Sequence, residues 1–431
     1  MLGKKKFDYS WVIIGVSAFM IFIVLGLCSS TKGIFLKAIT SYNDLDQGPF
    51  AFSNTFRYIT TSIVNIFFGT LVLKLGVKKL IAFGFLSLVI SMLLFAFSSE
   101  LWGFYLAGVF LGLGLAWTTT TMVGYIINKW VKKNRGTVMG FILATNGIGA
   151  SIATNIYMPI INASVTGYKT AYLIIAVLVA VAGVVAVIFI KDRKLEDGEK
   201  MSTKKQKGDD WVGIDSKTAF RKPYFYLTMV CVFVTGLVLQ SVTGVFNHHM
   251  EVSNIDKGTM QLVTTVYTFI LTFTKFLTGF MYDRLGLRKT MTINYTCSVV
   301  SMLMMALINP TPTGIVFCFV YAVAVDIALP LETIMLPIFA GDLFGRKDYA
   351  KMLGICVSVN TAGYAVGSPI MGFVFDAVGS YVPAFYVSAG LMLATVIIMH
   401  SVVSSANKEK KRIELELANS QKTTEQVAVN Q

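Results

Sequence analysis

Few ionisable side chains lie inside the long apolar segments of this chain, and they are its first candidates for chemistry. Arg57, Lys275, Asp326 and Glu332 each fall within such a segment. A charged side chain in hydrocarbon is costly unless it faces water or a partner, so each marks a possible ion or proton pathway. The chemistry open to these residue types is binding of a charged solute and transfer of a proton.

Arg57 lies on a polar face of its predicted helix. At 100° per residue, Ser53, Thr60 and Thr61 lie on the same side of a helix as Arg57. We expect this stripe to face a cavity, where the guanidinium would bind an anion.

Lys275 has a similar setting. Thr264, Thr268 and Thr272 line up with it, and Thr278 lies one turn beyond. A hydroxyl-lined face with one cation suits an anion, and an ammonium holds a carboxylate with less geometric selectivity than arginine does. The alternative is a lysine held in an internal ion pair.

Two acids lie in the tenth apolar segment. Asp326 and Glu332 are six residues apart, so in a helix they point roughly 120° apart and do not form an acid/base dyad. Asp326, nearer the middle of the segment, is the first candidate for proton coupling and Glu332 the second. The alternative for Asp326 is a structural pair with Lys275 or Arg57.

Uncharged polar residues add two weaker ligand candidates. Tyr364 shares a face with Thr361 and Ser368, and Gln240 shares one with Thr243 and Asn247. Such side chains can hydrogen-bond a substrate without specifying its class.

Several other kinds of chemistry lack their motifs. The five cysteines lie in apolar runs without C-x-x-C spacing, which disfavours a zinc site or a disulfide framework. The sequence has no H-E-x-x-H, no nucleophile with base and orienter, and no phosphate-binding loop. We therefore expect no enzyme activity, no cofactor, no metal and no ATP hydrolysis.

The elements that must position these residues are membrane spans. Of 431 residues, 55% are hydrophobic and 14% charged, and the mean hydropathy is +0.67. A soluble domain carries about a quarter charged residues. The net charge of +14 does not indicate nucleic-acid binding, because basic residues alternate with apolar runs.

Twelve runs of about 20 apolar residues, six before and six after the polar stretch at 191–222, predict an all-α integral membrane protein with twelve transmembrane helices. The predicted spans are 11–36, 50–73, 78–98, 101–128, 137–162, 170–190, 223–248, 259–282, 288–308, 313–341, 351–375 and 382–404. The predicted domains are an N-terminal bundle at 1–190, a cytoplasmic linker at 191–222, a C-terminal bundle at 223–405 and a charged, mobile cytoplasmic tail at 406–431. Asp209, Asp210 and Trp211 indicate a short amphipathic piece in the linker.

The distribution of positive charge predicts orientation. Most of the 37 Lys and Arg residues fall in the termini and in alternate loops. The exceptions are Lys32, Lys37, Arg57, Lys169, Lys257 and Lys275. Cationic loops stay on the cytoplasmic side, so both termini are expected to be cytoplasmic in a multi-pass plasma membrane protein.

A loop motif occurs twice at the same register. The segment from Gly69 to Lys79 matches the segment from Gly279 to Lys289, with Gly76 matching Gly286. The gating-loop residues are Gly69, Gly76, Lys78, Gly279, Asp283, Arg284, Gly286 and Arg288. Asp283 can pair with bases or with a neighbouring helix N-terminus, whereas its counterpart is Leu73. Internal duplication of this kind is typical of rocking transporters.

This repeat resembles the signature loop of the major facilitator superfamily, G-x-L-x-D-R-x-G-x-R/K. The resemblance implies two pseudo-symmetric six-helix bundles around a central cavity that opens alternately to each side. Lys275 lies four residues before Gly279, where the similar oxalate/formate exchangers and monocarboxylate transporters place an arginine. Thr361 stands at about the place of the exchangers' lysine, which disfavours oxalate.

The same resemblance adds one ligand candidate and disfavours one function. Lys32 falls where related families place aromatic or charged cavity residues. The fifth span reads Asn146-Gly147-Ile-Gly149 with its proline at Pro159, and so lacks the Gly-Pro pair of proton-coupled drug exporters.

The predicted function is secondary transport of small organic anions, most suitably monocarboxylates, by proton symport or anion exchange. The alternative is a proton-coupled exporter of cationic or amphipathic compounds, with Asp326 and Glu332 as ligands. A membrane sensor or membrane-embedded enzyme is disfavoured. The expected partners are an organic anion, protons and membrane lipid, with no nucleic acid, and the protein is expected to be a monomer.

Overall fold

A computed structural model describes residues 9–192 and 213–429. These two ranges are called the first half and the second half below. Every regular element in them is helical. The predicted amphipathic piece at Trp211 lies outside the described residues, and the side chains of Lys32 and Ser368 are not described.

The first half contains nine α-helices. They are α1 Ser10–Ile21, α2 Lys32–Tyr42, α3 Gln47–Ile66, α4 Phe68–Leu75, α5 Val77–Phe97, α6 Leu101–Thr118, α7 Thr120–Trp130, α8 Arg135–Ala163 and α9 Gly167–Phe189. A π-helix, Phe22–Ser29, follows α1. α1, the π-helix and α2 form one apolar segment, and so do α6 and α7.

The second half contains seven α-helices. They are α10 Ser216–Ala219, α11 Pro223–Val252, α12 Lys257–Ala306, α13 Pro312–Ala328, α14 Met335–Phe344, α15 Tyr349–Val378 and α16 Val382–Val429. A 3₁₀-helix, Leu329–Glu332, separates α13 from α14. α16 extends through the predicted tail region as far as Val429.

The helices account for all twelve predicted spans. Within the described ranges, ten helices are long and apolar enough to cross a membrane, and α3 with α4 forms an eleventh that bends by 63°. Gly286, with φ 78° and ψ 172°, interrupts α12 and divides it into two spans. Gly76, at the matching position, has φ 80° and separates α4 from α5. Both turns need the left-handed φ that glycine adopts without strain.

Packing within each half depends on glycines at helix crossings. In the first half, α6 lies against α3, where a Cβ at Gly112 would come within 2.5 Å of the Arg57 carbonyl oxygen. In the second half, a Cβ at Gly363 on α15 would come within 2.7 Å of the Leu237 backbone nitrogen on α11. Small residues let membrane helices approach this closely. Gly372 has nothing within 4 Å of its added Cβ, so it does not share this role.

The halves meet along two seams, α8 against α12 and α3 with α4 against α15. The basic turns at Gly76, Asn134, Gly286 and Gly345 lie at one end of the bundle, called the basic end here. The turns between α2 and α3, α8 and α9, and α11 and α12 lie at the opposite end. The domain boundaries stay a prediction.

Candidate functional site

Three broken helices surround the centre of the molecule. The first span changes to a π-helix and is interrupted at Ser30, the fourth is interrupted at Thr119, and the tenth passes through the 3₁₀ segment Leu329–Glu332. Thr119 and Leu329 occupy matching positions when Gly76 is aligned with Gly286. Irregular backbone at membrane depth is tolerated where it is buried in protein or lines a cavity, so these breaks mark the site.

Arg57 lies in α3 beside the π-helix. Its side chain is largely enclosed, with the residue 9% exposed. Nη1 donates to Ser29 Oγ at 3.1 Å, and Cζ lies 4.2 Å from the centroid of the Tyr58 ring. Nε is buried without a hydrogen-bond partner. Among the described residues no carboxylate pairs with Arg57, so its positive charge is offset only by a hydroxyl and an aromatic face.

Lys275 in α12 and Asp326 in α13 are buried neighbours. Asp326 is fully buried, and its charge interacts with that of Lys275. The distance from Lys275 Nζ to the carboxylate oxygens of Asp326 exceeds 4.0 Å, the limit for a salt bridge. Neither carboxylate oxygen of Asp326 has a hydrogen-bond partner. The internal pairing considered from the sequence is thus a through-space interaction rather than a direct bond.

Glu332 lies in the 3₁₀ break of the tenth span. It is buried, its Oε1 has no hydrogen-bond partner, and the hydroxyl of Tyr364 is adjacent to its carboxyl group. The Tyr364 ring meets the Tyr58 ring edge to face, with centroids 5.6 Å apart. Arg57, Tyr58, Tyr364 and Glu332 therefore form one chain of contacts from the first half to the second, called the cross-bundle chain.

Asp326 interacts with the charge of Lys275, whereas Glu332 is adjacent to the Tyr364 hydroxyl. Tyr267 in α12 interacts with both carboxyl groups, and Tyr321 in α13 lies near Asp326. Because α13 ends at Ala328, the two acids are not on one regular helix. Their separation follows from the break as well as from the spacing.

The threonines near Lys275 contact different helices. The Thr264 hydroxyl donates to Asn247 Oδ1 of α11 at 3.3 Å. Thr272 packs directly on Gly147 of α8, and Thr268 donates its hydroxyl to the Thr264 carbonyl at 2.9 Å. Thr278 is buried. Their role as substrate ligands stays a prediction.

The remaining ligand candidates are placed less closely. Gln240 is partly buried in α11, and no described hydrogen bond involves its side-chain amide. Lys32 is the first residue of α2. Ser29, Tyr58, Tyr267 and Tyr321 were not predicted. Tyr58 had one signal, its position beside a membrane-embedded arginine, whereas a π-helix has no sequence pattern that would have identified Ser29.

Asp283 joins the halves at the basic end. Its Oδ1 accepts from the Gly136 backbone nitrogen at 3.1 Å, and its Oδ2 accepts from Thr137 through the backbone nitrogen and the hydroxyl, each at 2.6 Å. These groups begin α8, whose N-terminal dipole favours an anion. The helix N-terminus was one of the two partners expected for this acid.

The other gating-loop residues have different surroundings in the two copies of the motif. Gly279 lies against the Gly136 backbone, and Gly69 lies against Lys351, where an added Cβ would come within 2.6 Å of backbone atoms. Leu73, the counterpart of Asp283, is 74% exposed. Arg284 lies over the Phe280 ring, while Lys78 and Arg288 are exposed. Only the second copy makes the carboxylate contact.

The hydrogen bonds between the halves cluster toward the basic end. Besides Asp283, Ser62 donates to the Ser358 carbonyl at 2.9 Å and Tyr349 donates to the Gly124 carbonyl at 3.5 Å. At the opposite end, the hydrogen bonds of the described side chains join residues of the same half. The two halves are therefore joined by hydrogen bonds mainly toward the basic end.

The histidines do not assemble a metal site. His248 Nδ1 lies 2.8 Å from the Tyr381 hydroxyl, and His249 Nε2 lies 2.9 Å from the Met305 carbonyl. In the described part of the chain, no group of three or more His, Cys, Asp or Glu residues is placed to hold a metal ion.

Comparison with known proteins identifies the class to which this fold and site belong. The family model described as Major Facilitator Superfamily matches residues 14–331 and 228–427. The chain therefore belongs to the Major Facilitator Superfamily, and it is a membrane transporter rather than an enzyme.

Two curated relatives match at low identity. Multidrug resistance protein 2 of Bacillus subtilis (strain 168) is 21% identical over 378 residues, covering 85% of this chain and 88% of the relative. Monocarboxylate transporter 12-B of Danio rerio is 24% identical over 124 residues, covering 29% of this chain and 26% of that transporter. The second match spans about a quarter of each protein.

Solved structures support the fold. The proton:xylose symporter XylE aligns with a TM-score of 0.70 at 12% identity, covering 92% of this chain and 95% of the other. FucP, a transporter solved in the outward conformation, aligns with a TM-score of 0.69 at 15% identity, covering 91% and 99%. The twelve-helix architecture expected from the sequence is confirmed.

Proposed function

We propose that this protein is a secondary transporter of small organic anions, most suitably monocarboxylates. The observation that carries the proposal is Arg57, a buried guanidinium with an unpartnered Nε and no described carboxylate partner. A buried cation is stable only when it is paired or hydrogen-bonded. A carboxylate can accept two parallel hydrogen bonds from a guanidinium, which would complete the environment of Arg57.

The charges near the centre favour a substrate with one carboxylate over a substrate with two. Lys275 and Asp326 offset each other, so they add no net charge to the site when both are ionised. Glu332 closes the far end of the cross-bundle chain with a second acid. A monoanion matches Arg57, whereas the second carboxylate of a dianion would have to compete with Asp326 for Lys275.

The proposed coupling is by protons or by exchange. Asp326 is the first candidate for carrying a proton because its oxygens have no hydrogen-bond partner and its cationic neighbour is Lys275. Neutralising Asp326 would leave Lys275 free to attract the anion, which links protonation to substrate binding. Glu332 is the second candidate. The segment similar to a monocarboxylate transporter supports the substrate class, and the fold shared with a proton:xylose symporter is compatible with proton coupling.

The proposed transport cycle alternates access between the two ends. The loop residues around Gly279 and Asp283 would hold the basic end closed, and their release would open it. With the basic end cytoplasmic, as the distribution of Lys and Arg favours, the described conformation faces outward. We further propose plasma membrane location, cytoplasmic termini, monomeric function and the domain boundaries given above.

A second function has its own supporting observation. The unpartnered oxygens of Asp326 and the nearby rings of Tyr267 and Tyr321 suit a lipophilic cation. The relative named a multidrug resistance protein covers most of this chain. Proton-coupled export of cationic or amphipathic compounds is therefore the alternative.

Uptake into vesicles containing the purified full chain separates these functions. The panel is labelled lactate, pyruvate, formate, oxalate and one lipophilic cation, each with and without an inward proton gradient. The proposal expects monocarboxylate uptake that is lost in Lys275→Ala, and the gradient distinguishes symport from exchange. Transport of the cation with inert carboxylates would instead support the exporter.

A further inference from the structure

Two concave surfaces lie along the second span of α12, away from the central site. The first, of about 400 Å³, lies near the basic end between α12 and α16, and its lining is Leu285, Arg288, Lys289, Thr292, Ile293 and His400. The second, of about 390 Å³, lies between α12 and α13, and its lining is Cys297, Phe319, Val320, Val323, Ala324 and Ile327. One surface is cationic with apolar walls, and the other is wholly apolar.

The cationic surface has a polar floor and unpaired charges. The Thr292 hydroxyl lies 3.2 Å from His400 Nε2, joining α12 to α16. Arg288 and Lys289 are exposed, and neither forms an ion pair with an acidic group in the described ranges. Leu285 and Ile293 are exposed apolar walls beside these charges. This combination suits an anionic group attached to an apolar body.

The two surfaces lie on one stripe of α12. Lys289, Ile293 and Cys297 follow one another at four-residue intervals, so they share a helical face. Lys289 and Cys297 are roughly 12 Å apart along the axis, at 1.5 Å per residue. The cations lie toward the basic end and the apolar groove lies deeper in the membrane, which is the layout of a phospholipid headgroup and its acyl chain.

The matching turn in the first half contains an anion of its own. Asp192 accepts from the Val77 backbone nitrogen at 3.4 Å and pairs with Lys129 at 3.4 Å, beside Gly76. Lys78 and Lys79 match Arg288 and Lys289 in register. At Gly286, in contrast, an added Cβ would meet nothing within 4 Å. Among the described residues, Asp192 accepts a hydrogen bond from the backbone of the first turn, and no described carboxylate does so at the second turn.

We propose that the surface around Arg288, Lys289 and His400 binds the headgroup of an anionic phospholipid of the surrounding bilayer, with an acyl chain in the groove at Cys297 and Val323. The phosphate lies between the two cations, and the acyl chain follows the α12 stripe. This site is separate from the transport site and does not depend on which substrate is carried.

Lipid retention by the purified full chain tests the headgroup contact. The protein is titrated with phosphatidylglycerol or phosphatidylcholine in detergent, and bound lipid is counted by native mass spectrometry. The expected result is preference for phosphatidylglycerol, weakened about 30-fold in Arg288→Ala/Lys289→Ala, because each cation near a membrane surface contributes about fivefold. The matched control is Lys78→Ala/Lys79→Ala, which removes the same charge at the equivalent turn and is expected to change retention less than twofold.

Two further variants test the acyl-chain groove. Val323→Trp fills the groove and is expected to weaken phosphatidylglycerol retention several-fold, whereas Val181→Trp, at an exposed valine of α9 in the first half, is the control. Soluble sn-glycerol 3-phosphate serves as a probe without acyl chains and is expected to compete poorly. Arg288→Lys/Lys289→Arg retains both charges and is expected to restore retention, which separates loss of charge from misfolding.

Equal retention of the two lipids by the wild type would overturn the proposal, and so would equal losses in the two double-alanine variants. Tight binding of sn-glycerol 3-phosphate that is unaffected by Val323→Trp would also overturn it, because the ligand would then be a free phosphate compound.

Discussion

The buried charges of this protein are distributed unequally between its halves. Among the described residues, Arg57 in the first half contacts a hydroxyl and a tyrosine ring but pairs with no carboxylate, whereas Lys275 in the second half faces Asp326. Because a buried charge without a counter-charge is unstable, Arg57 is the residue most in need of an external anion. We therefore propose that Arg57 holds the substrate carboxylate.

Removing one charge of the Lys275–Asp326 pair should destabilise the protein more than removing both. Lys275→Met leaves an isolated buried carboxylate and Asp326→Asn an isolated buried ammonium, each costing roughly 3 kcal/mol of stability, whereas the double variant should recover much of that loss. Thermal unfolding of the four proteins at one pH measures the coupling. Additive losses in the double variant would contradict the pairing.

The candidate site residues could be identified from the sequence, but the residues that they contact could not. Arg57, Lys275, Asp326 and Glu332 stood out because charged residues are rare in apolar spans. The contacts of Tyr58 with Tyr364 join residues from separate halves, and no spacing rule brings such residues together. Thr272 had the spacing of a cavity residue but packs on Gly147, since helical periodicity defines a face without naming what that face meets.

Two acidic residues owe their surroundings to helix ends and helix breaks. Asp283 binds the N-terminus of α8, and this contact fastens the seam between α8 and α12 at the basic end. The break of the tenth span, by contrast, places Glu332 in a 3₁₀ segment between α13 and α14.

Asp283→Asn should loosen the basic end. The amide loses the charge that interacts with the α8 dipole and can accept with only one oxygen, so the closed arrangement should lose roughly 1–2 kcal/mol relative to the open one. Distances between spin labels at positions 78 and 347 measure the shift, which should favour longer separations. Asp256→Asn, at a helix start on the opposite end, is the control, and unchanged label distances in Asp283→Asn would contradict the latch.

Asp256 itself gives a pH-dependent prediction. Hydrogen bonds from the Thr259 hydroxyl and backbone nitrogen lower the pKa of this exposed carboxyl group below its ordinary value. A lowered folded-state pKa means that the stabilisation of the α12 start is present above the unfolded pKa and is lost as pH falls through the folded pKa. Hydrogen exchange of the first amides of α12 should therefore report fraying in acid after correction for intrinsic rates, and Asp256→Ala should remove the pH dependence. Fraying that is independent of pH in the wild type would contradict this assignment.

The helix boundaries were largely predictable, but the breaks were not. Hydrophobic runs and the Gly76 and Gly286 turns located the spans, because both length and left-handed backbone have clear sequence requirements. The π-helix at Phe22–Ser29 and the interruption at Thr119 have no comparable sequence requirement. The charge of the tail beyond residue 406 did not predict its helical backbone. α16 continues to Val429, and Lys222 at the start of α11 forms a salt bridge of 2.9 Å with Glu409.

The whole molecule combines two halves that contact each other through small residues. Gly136, Gly140 and Gly279 let α8 and α12 approach closely, and Gly354 does the same between α15 and α3. Hydrogen bonds at Asp283 and Ser62 add to these contacts toward the basic end. The internal repeat and the resemblance to the Major Facilitator Superfamily predicted two bundles and alternating access. The sequence pattern does not specify which helices meet at the seams.

Carboxylate uptake by Arg57→Gln and Lys169→Gln in vesicles tests whether Arg57 holds the substrate carboxylate. Lys169 also lies over a tyrosine ring, 4.6 Å from the Tyr42 centroid, but at the opposite end and away from the candidate site. The account predicts at least about a tenfold loss of monocarboxylate uptake in Arg57→Gln, from loss of a charged hydrogen-bond partner worth roughly 1.5–3 kcal/mol, with near-normal uptake in Lys169→Gln. Monocarboxylate uptake that survives in Arg57→Gln at the Lys169→Gln level, in variants of equal stability, would contradict it.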